Sequence, residues 1–124
     1  MIELTAQEIS DNLTAAQSSK LNELKALFAQ KAKRPIVDTG LGYSVNGGYE
    51  DLTDFGIGRE MALPQVRDVD NIFQTATDAD YAAIITAIKT NGLLLKQNKW
   101  AHTDAINSLT TVQAVKEHDI TAGW

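Results

Sequence analysis

The sequence of 124 residues contains no cysteine. That excludes a disulfide framework, Cys-ligated zinc, an iron–sulfur cluster and thiol catalysis. Long apolar runs are missing too. The longest aliphatic run, Leu93-Leu94-Leu95, is far short of the roughly 18 residues a membrane span requires. Positive charge is in deficit, with 11 Lys+Arg against 16 Asp+Glu and a net charge of −5. Nucleic-acid binding normally demands a basic face, so that partner class is not expected. Met1-Ile2-Glu3-Leu4 shows no basic or apolar leader pattern, and no secretory signal is expected. Proline is scarce as well, at Pro35 and Pro64 only, so each is informative as a helix stop.

What remains is a chain 44% hydrophobic and long enough to bury about two-thirds of its unfolded surface without a metal or crosslink. Its charge is uneven. Residues 1–19 carry Glu3, Glu8 and Asp11, and residues 20–34 carry Lys20, Lys25, Lys31, Lys33 and Arg34 against Glu23. Residues 35–80 hold nine acids against Arg59 and Arg67, a net −7, and residues 81–124 come to +1. The cluster Lys31-Ala-Lys33-Arg34 stands before Pro35, where cations complement the negative end of a helix dipole. A patch for phosphate or an acidic partner is the sharper reading, but three charges fall short of the longer runs that signal nucleic acid.

Thr5 with Glu8 three residues later forms a capping box and predicts a short helix over 5–12. Thr14 then predicts a second start. Leu13, Leu21, Leu24, Leu27 and Phe28 recur at helical spacing, giving one amphipathic helix over 14–33 that must dock on its own domain or on another chain. Past Pro35 the period changes. Tyr43-Ser44-Val45 alternates, Asn46-Gly47 is the strongest short hairpin signal, and Tyr49 resumes the alternation, predicting a β-hairpin near 41–50. Asp51 to Asp54 offers caps for a short helix through Leu63, stopped by Pro64. Val66–Thr75 predicts a second hairpin turning at Asp68–Asn71. Thr77-Asp78-Ala79-Asp80 caps the strongest helix, with Tyr81, Ile84, Ile85 and Ile88 in phase. Asn91-Gly92 either ends it or is tolerated at about 1 kcal/mol. A last capped turn begins at Thr110 or Thr111. The fold class expected is α+β: an N-terminal amphipathic helix, two β-hairpins separated by a short helix, and a long C-terminal helix or helix pair. As domains, this places an N-terminal helical segment at 1–34 and an α+β domain at 35–124.

This order of parts resembles a small domain of unknown function from tailed phages and prophages, found in or beside tail-fibre proteins. The likeness covers roughly residues 30–124. It rests on the basic helix end, the hairpin Val45-Asn46-Gly47-Gly48-Tyr49, the short helix, and the turn Asp68-Val-Asp70-Asn71 leading into Thr77-Asp78-Ala79-Asp80-Tyr81. The closing Asp119-Ile-Thr-Ala-Gly123-Trp124 adds to it. Gly40-Leu-Gly42 and Phe55-Gly56-Ile-Gly58 are richer in glycine than that family's pattern. The resemblance implies a phage tail or tail-fibre protein as partner, and a setting in the bacterial cytoplasm during assembly or in the virion. It brings no reaction and no catalytic residues.

No constellation spells out a chemistry. Asp68, Asp70 and Asn71, with Asp78 and Asp80, are the densest oxygen donors, but Ile72 breaks the calcium-loop pattern and no Gly or Glu stands in register. A turn and a helix cap account for them. Asp68 and Asp78 are also the pair a glycosidase would need, the least favoured reading. His102 and His118 are sixteen residues apart with no paired-ligand spacing, and His118 near a helix end reads as a dipole-stabilised surface imidazole. Gly42 to Gly47 has P-loop spacing, but Gly48 stands where Lys is required. No catalytic, cofactor or metal residue is therefore expected. Trp100 and Trp124 are candidate contact residues, since Trp is enriched at binding hot spots. Trp100 is expected to pack helix on helix, and Trp124 either folds back or marks where a partner sits. With Leu21, Leu24 and Phe28 they are the candidate partner-binding set, and the N-terminal helix is a candidate for homo-oligomer formation. The function expected is a non-enzymatic accessory or structural protein acting through protein–protein contacts. A small-ligand-binding or regulatory module is the alternative.

Overall fold

The computed structural model describes residues 3–124. Met1 and Ile2, on which the leader reading partly rests, lie outside them. Among the described residues the order is α1 (Ala6–Lys33), β1 (Ile36–Asp38), β2 (Ser44–Asn46), α2 (Tyr49–Glu60), β3 (Gln65–Arg67), β4 (Phe73–Thr75), α3 (Asp78–Ser108) and α4 (Val112–Glu117). This is an α+β fold with a long C-terminal helix. Among the described residues no helix is long and apolar enough to cross a membrane.

Thr5 caps α1 as its sequence requires, its hydroxyl accepting the Glu8 N–H at 3.1 Å. The expected restart at Thr14 does not occur, because Leu13-Thr14-Ala15 contains neither Pro nor Gly and the helix propagates through it. It stops at Lys33, ahead of Pro35.

The first hairpin exists, but its turn is not at Asn46-Gly47. β1 pairs antiparallel with β2 in the register Ile36↔Asn46, Val37↔Val45, Asp38↔Ser44. The connection is Thr39–Tyr43, where Gly40 and Gly42 take φ of 76° and 93°, the left-handed region that side chains disfavour. The Thr39 hydroxyl donates to the Tyr43 carbonyl at 2.7 Å and Asp38 accepts the Gly40 N–H at 2.9 Å, closing the loop. Gly47 and Gly48 serve close approach instead: a Cβ on Gly47 would collide with the Val37 side chain, and one on Gly48 with the Lys33 carbonyl. Tyr49 is consequently the first residue of α2 and not a strand residue.

The second hairpin follows the expectation. β3 and β4 pair as Gln65↔Thr75, Val66↔Gln74 and Arg67↔Phe73, and Asn71 supplies the left-handed turn residue at φ 63°. Thr77 and Asp80 exchange hydrogen bonds of 3.2 and 2.9 Å to start α3. Asn91-Gly92 is tolerated within α3, so the chain has one long helix there and not a helix pair. Thr111 caps α4 through the Ala114 N–H at 3.1 Å.

The chain forms two compact units. One joins the residues up to Ala29 with Lys96–Trp124, and the other is Gln30–Leu95. The first buries Leu24, Ile106 and Val115, with Leu13, Ala16, Leu21, Leu109, Ile120 and Trp124 packed around them. The second buries Val37, Val45, Val66, Ala76, Tyr81, Ile84 and Ile88. It draws one inward residue from each of the strands β1 to β3, as the period of two requires.

Candidate functional site

In the Gln30–Leu95 unit a cleft of about 440 Å³ is lined by Arg34, Asp51, Asp54, Phe55, Arg67 and Asp68, among others. Most of its charge is already engaged. Arg34 donates to both oxygens of Asp51 at 3.3 and 3.1 Å. Arg67 lies 4.0 Å over the Phe73 ring and donates to Asn71. Asp68 is buried and accepts the Asp70 and Ile72 N–H groups and the Gln74 side-chain amide, at 2.9, 3.0 and 2.9 Å. Gln74 first, then Ile72, holds the Asp68 carboxyl below the usual range. Asp78 is paired in two-point fashion with Arg59 at 2.8 and 3.1 Å, and that guanidinium holds it low as well. A glycosidase acid needs a raised pKa, so these two carboxylates sit on the wrong side for it. Asp80 serves the α3 cap. Among the described residues no group of three or more His, Asp or Glu is arranged to hold a metal.

The Tyr43 hydroxyl is buried without a hydrogen-bond partner. Burial, then the charges of Asp80 and Asp68, push its pKa up. It is the one buried side-chain polar atom without a partner among the described residues, and it was not legible in the sequence.

Helix α2 has one covered face and one open face. Leu52 and Phe55 turn inward onto the core, and Gly58 is buried against Tyr81, whose hydroxyl a Cβ at Gly58 would meet at 3.0 Å. On the opposite side Tyr49, Thr53, Ile57 and Met61 follow one another at four-residue steps, the spacing of a helix ridge. Tyr49 is 83% exposed, Ile57 48% and Met61 67%. The four-residue spacing was present in the sequence, but assigning Tyr49 to a strand broke the series.

The other unit holds the sequence-predicted contact residues. Leu24 is 1% exposed, and Leu21 packs beside it on the core of Ile106 and Val115. Phe28 and Trp124 meet with ring centroids 6.4 Å apart, and Lys99 lies 4.7 Å over Phe28. Trp124 folds back, stacking on His102 at 6.0 Å and donating its indole N–H to the Ile120 carbonyl at 2.6 Å. Trp100 does not join them. It is 53% exposed, contrary to the helix-packing expectation, because its position on α3 turns it away from the side that carries buried His102 and Ile106.

His118 corrects the surface-imidazole expectation. His102 Nδ1 and His118 Nε2 are 2.8 Å apart, and His102 Nε2 is 2.8 Å from the Ala122 carbonyl. A carbonyl only accepts, so His102 carries a proton on Nε2, and its Nδ1 shares one proton with His118 Nε2. Burial, then His102 and Lys20, press the His118 pKa below its ordinary 6.5, against the opposing pull of Asp119. Sixteen residues of sequence separation hid this pair; the turn between α3 and α4 closes it.

Against this geometry, protein-family models, the curated proteins and the solved structures all return no match to the chain.

Proposed function

We propose that the chain is a non-enzymatic accessory protein that works by binding another protein, of the phage or prophage tail-associated kind its sequence resembles. The observation that supports the reading is the outer face of α2, where a tyrosine, an isoleucine and a methionine stand in solvent along one ridge. Aromatic residues and methionine are enriched in protein interfaces, and exposing them together costs solubility that a monomer has no use for. The carboxylates of Asp68 and Asp78, which a hydrolase would use, are engaged in a turn and an ion pair instead.

The tail association rests on the sequence resemblance, as do the tail or tail-fibre partner and the setting in host cytoplasm or virion. Homo-oligomer formation through α1 is the weaker form of the proposal, since Leu21 and Leu24 already pack within their own unit. The test is affinity capture by the tagged chain from a phage- or prophage-induced lysate, read by mass spectrometry. The expected result is stoichiometric recovery of a tail polypeptide, lost with the double variant Ile57→Ser, Met61→Ser. Recovery of the bait alone would overturn the reading.

A further inference from the structure

We infer that the occupant of the α2 outer face is a basic amphipathic helix of another protein, its apolar stripe along Tyr49, Ile57 and Met61 and its Lys or Arg side chains against Glu50, Asp54 and Glu60. The inference rests on the protein-binding reading above and adds the chemistry of the partner.

Helix α2 carries Glu50, Asp51, Asp54, Arg59 and Glu60. Asp51 is committed to Arg34, and Arg59 to Asp78. Among the described residues no salt bridge or side-chain hydrogen bond engages Glu50, Asp54 or Glu60, so every uncommitted charge on this helix is negative. All three fall within about 60° of Ile57 around the helix axis, at 3.6 residues per turn. The acids therefore border the same ridge that exposes Tyr49, Ile57 and Met61.

The ridge runs about 18 Å, twelve residues at 1.5 Å each, which matches three turns of a second helix. A helix laid on it buries its own apolar residues at four-residue steps, and its flanking cations meet the acids without any of them leaving solvent. The same acids repel phosphate, which sets nucleic acid and anionic lipid against the surface. In the chain's own basic stretch Arg34 is tied to Asp51, and Lys20 to Glu23 and the Lys116 carbonyl, while Lys25, Lys31 and Lys33 carry no such pairing among the described residues, so a second copy is the competing occupant that the experiment must separate.

The experiment titrates two synthetic helical peptides into the isotope-labelled full chain and follows backbone amide shifts. The peptides share one leucine stripe and differ only in carrying lysine or glutamate on the flanks. The lysine peptide is expected to shift the amides of 49–61, and added salt to weaken it. Ile57→Ser with Met61→Ser should weaken it about tenfold or more. Glu50→Gln, Asp54→Asn and Glu60→Gln together should remove most of the salt dependence. Equal binding of the glutamate peptide at 49–61 would overturn the charge inference while leaving α2 as a protein-binding face. Shifts spread over the acidic surface and indifferent to the double variant would overturn it too. Shifts at 49–61 that grow with chain concentration alone would assign the face to a second copy instead.

Discussion

The two units of the chain solve the same burial problem with different material. The Gln30–Leu95 unit is contiguous in sequence and builds its core from short strands, α2 and the start of α3, with valine and isoleucine inward. The other unit joins segments some seventy residues apart, and there α1 must find Ile106 and Val115 to cover Leu24. Polar closure differs as well. In the contiguous unit, carboxylates cap turns and pair with guanidinium groups: Asp68 in its loop, Asp51 with Arg34, Asp78 with Arg59. In the split unit, side chains reach across to backbone carbonyls: Gln17 to Ile106 and Leu109, Lys20 to Lys116, Asn98 to Ala122, His102 to Ala122. The lesson is that the apolar stripe of α1 and the ridge of α2, alike in spacing, have opposite fates. The first is covered within its unit, and the second is left open.

Core truncation gives the largest contrast. Leu24→Ala and Ile84→Ala each remove a fully buried side chain and should cost about 2–5 kcal/mol, read by urea unfolding. If Leu24→Ala costs no more than a surface change, the split unit does not have the core described. Gly48→Ala comes next, at about 1–3 kcal/mol, because the added Cβ meets the backbone carbonyl of Lys33, which cannot rotate away. Tyr43→Phe goes the other way. Removing an orphaned buried hydroxyl should stabilise the contiguous unit by about 1 kcal/mol, and a clear loss would mean that the hydroxyl has a partner.

Acid separates the units by the order in which they weaken. His118 has a folded pKa below 6.5, so the unfolded chain binds its proton first. Its contribution is complete above about pH 6.5 and is lost as pH falls through the lower folded value. Asp68 and Asp78 also have depressed folded values, and their contributions persist until pH falls below their ordinary 3.8. Stability measured from pH 8 downward should therefore show a first loss in the histidine range, absent in His118→Gln, and a second in the carboxylate range. A first loss that survives His118→Gln would place the sensitive group elsewhere. The smallest effect belongs to Trp100→Ala, within about 0.5 kcal/mol, since the residue is exposed and buries little.

Much of the contiguous unit was readable because its signals are local. Thr77-Asp78-Ala79-Asp80 states its own capping box, and Asp68 to Asn71 states its turn. The first hairpin was displaced because Asn46-Gly47 satisfies two physical demands equally well. Glycine serves a left-handed turn and also a close approach, and only the neighbours Val37 and Lys33 decide between them. That displacement moved Tyr49 from helix to strand and hid the α2 ridge. In the split unit periodicity identified the α1 stripe correctly, but no local signal says that Val115 and Ile106 cover it. The His102–His118 pair and the exposure of Trp100 depend on the same long-range packing and were out of reach for the same reason.

The most direct measurement is amide hydrogen exchange of the chain with and without whichever polypeptide the affinity capture recovers. The account expects new protection across Tyr49–Met61, with residues 21–28 unchanged because their apolar stripe at Leu21 and Leu24 already packs within its own unit. Protection that leaves 49–61 untouched, or that appears on 21–28 instead, would contradict it.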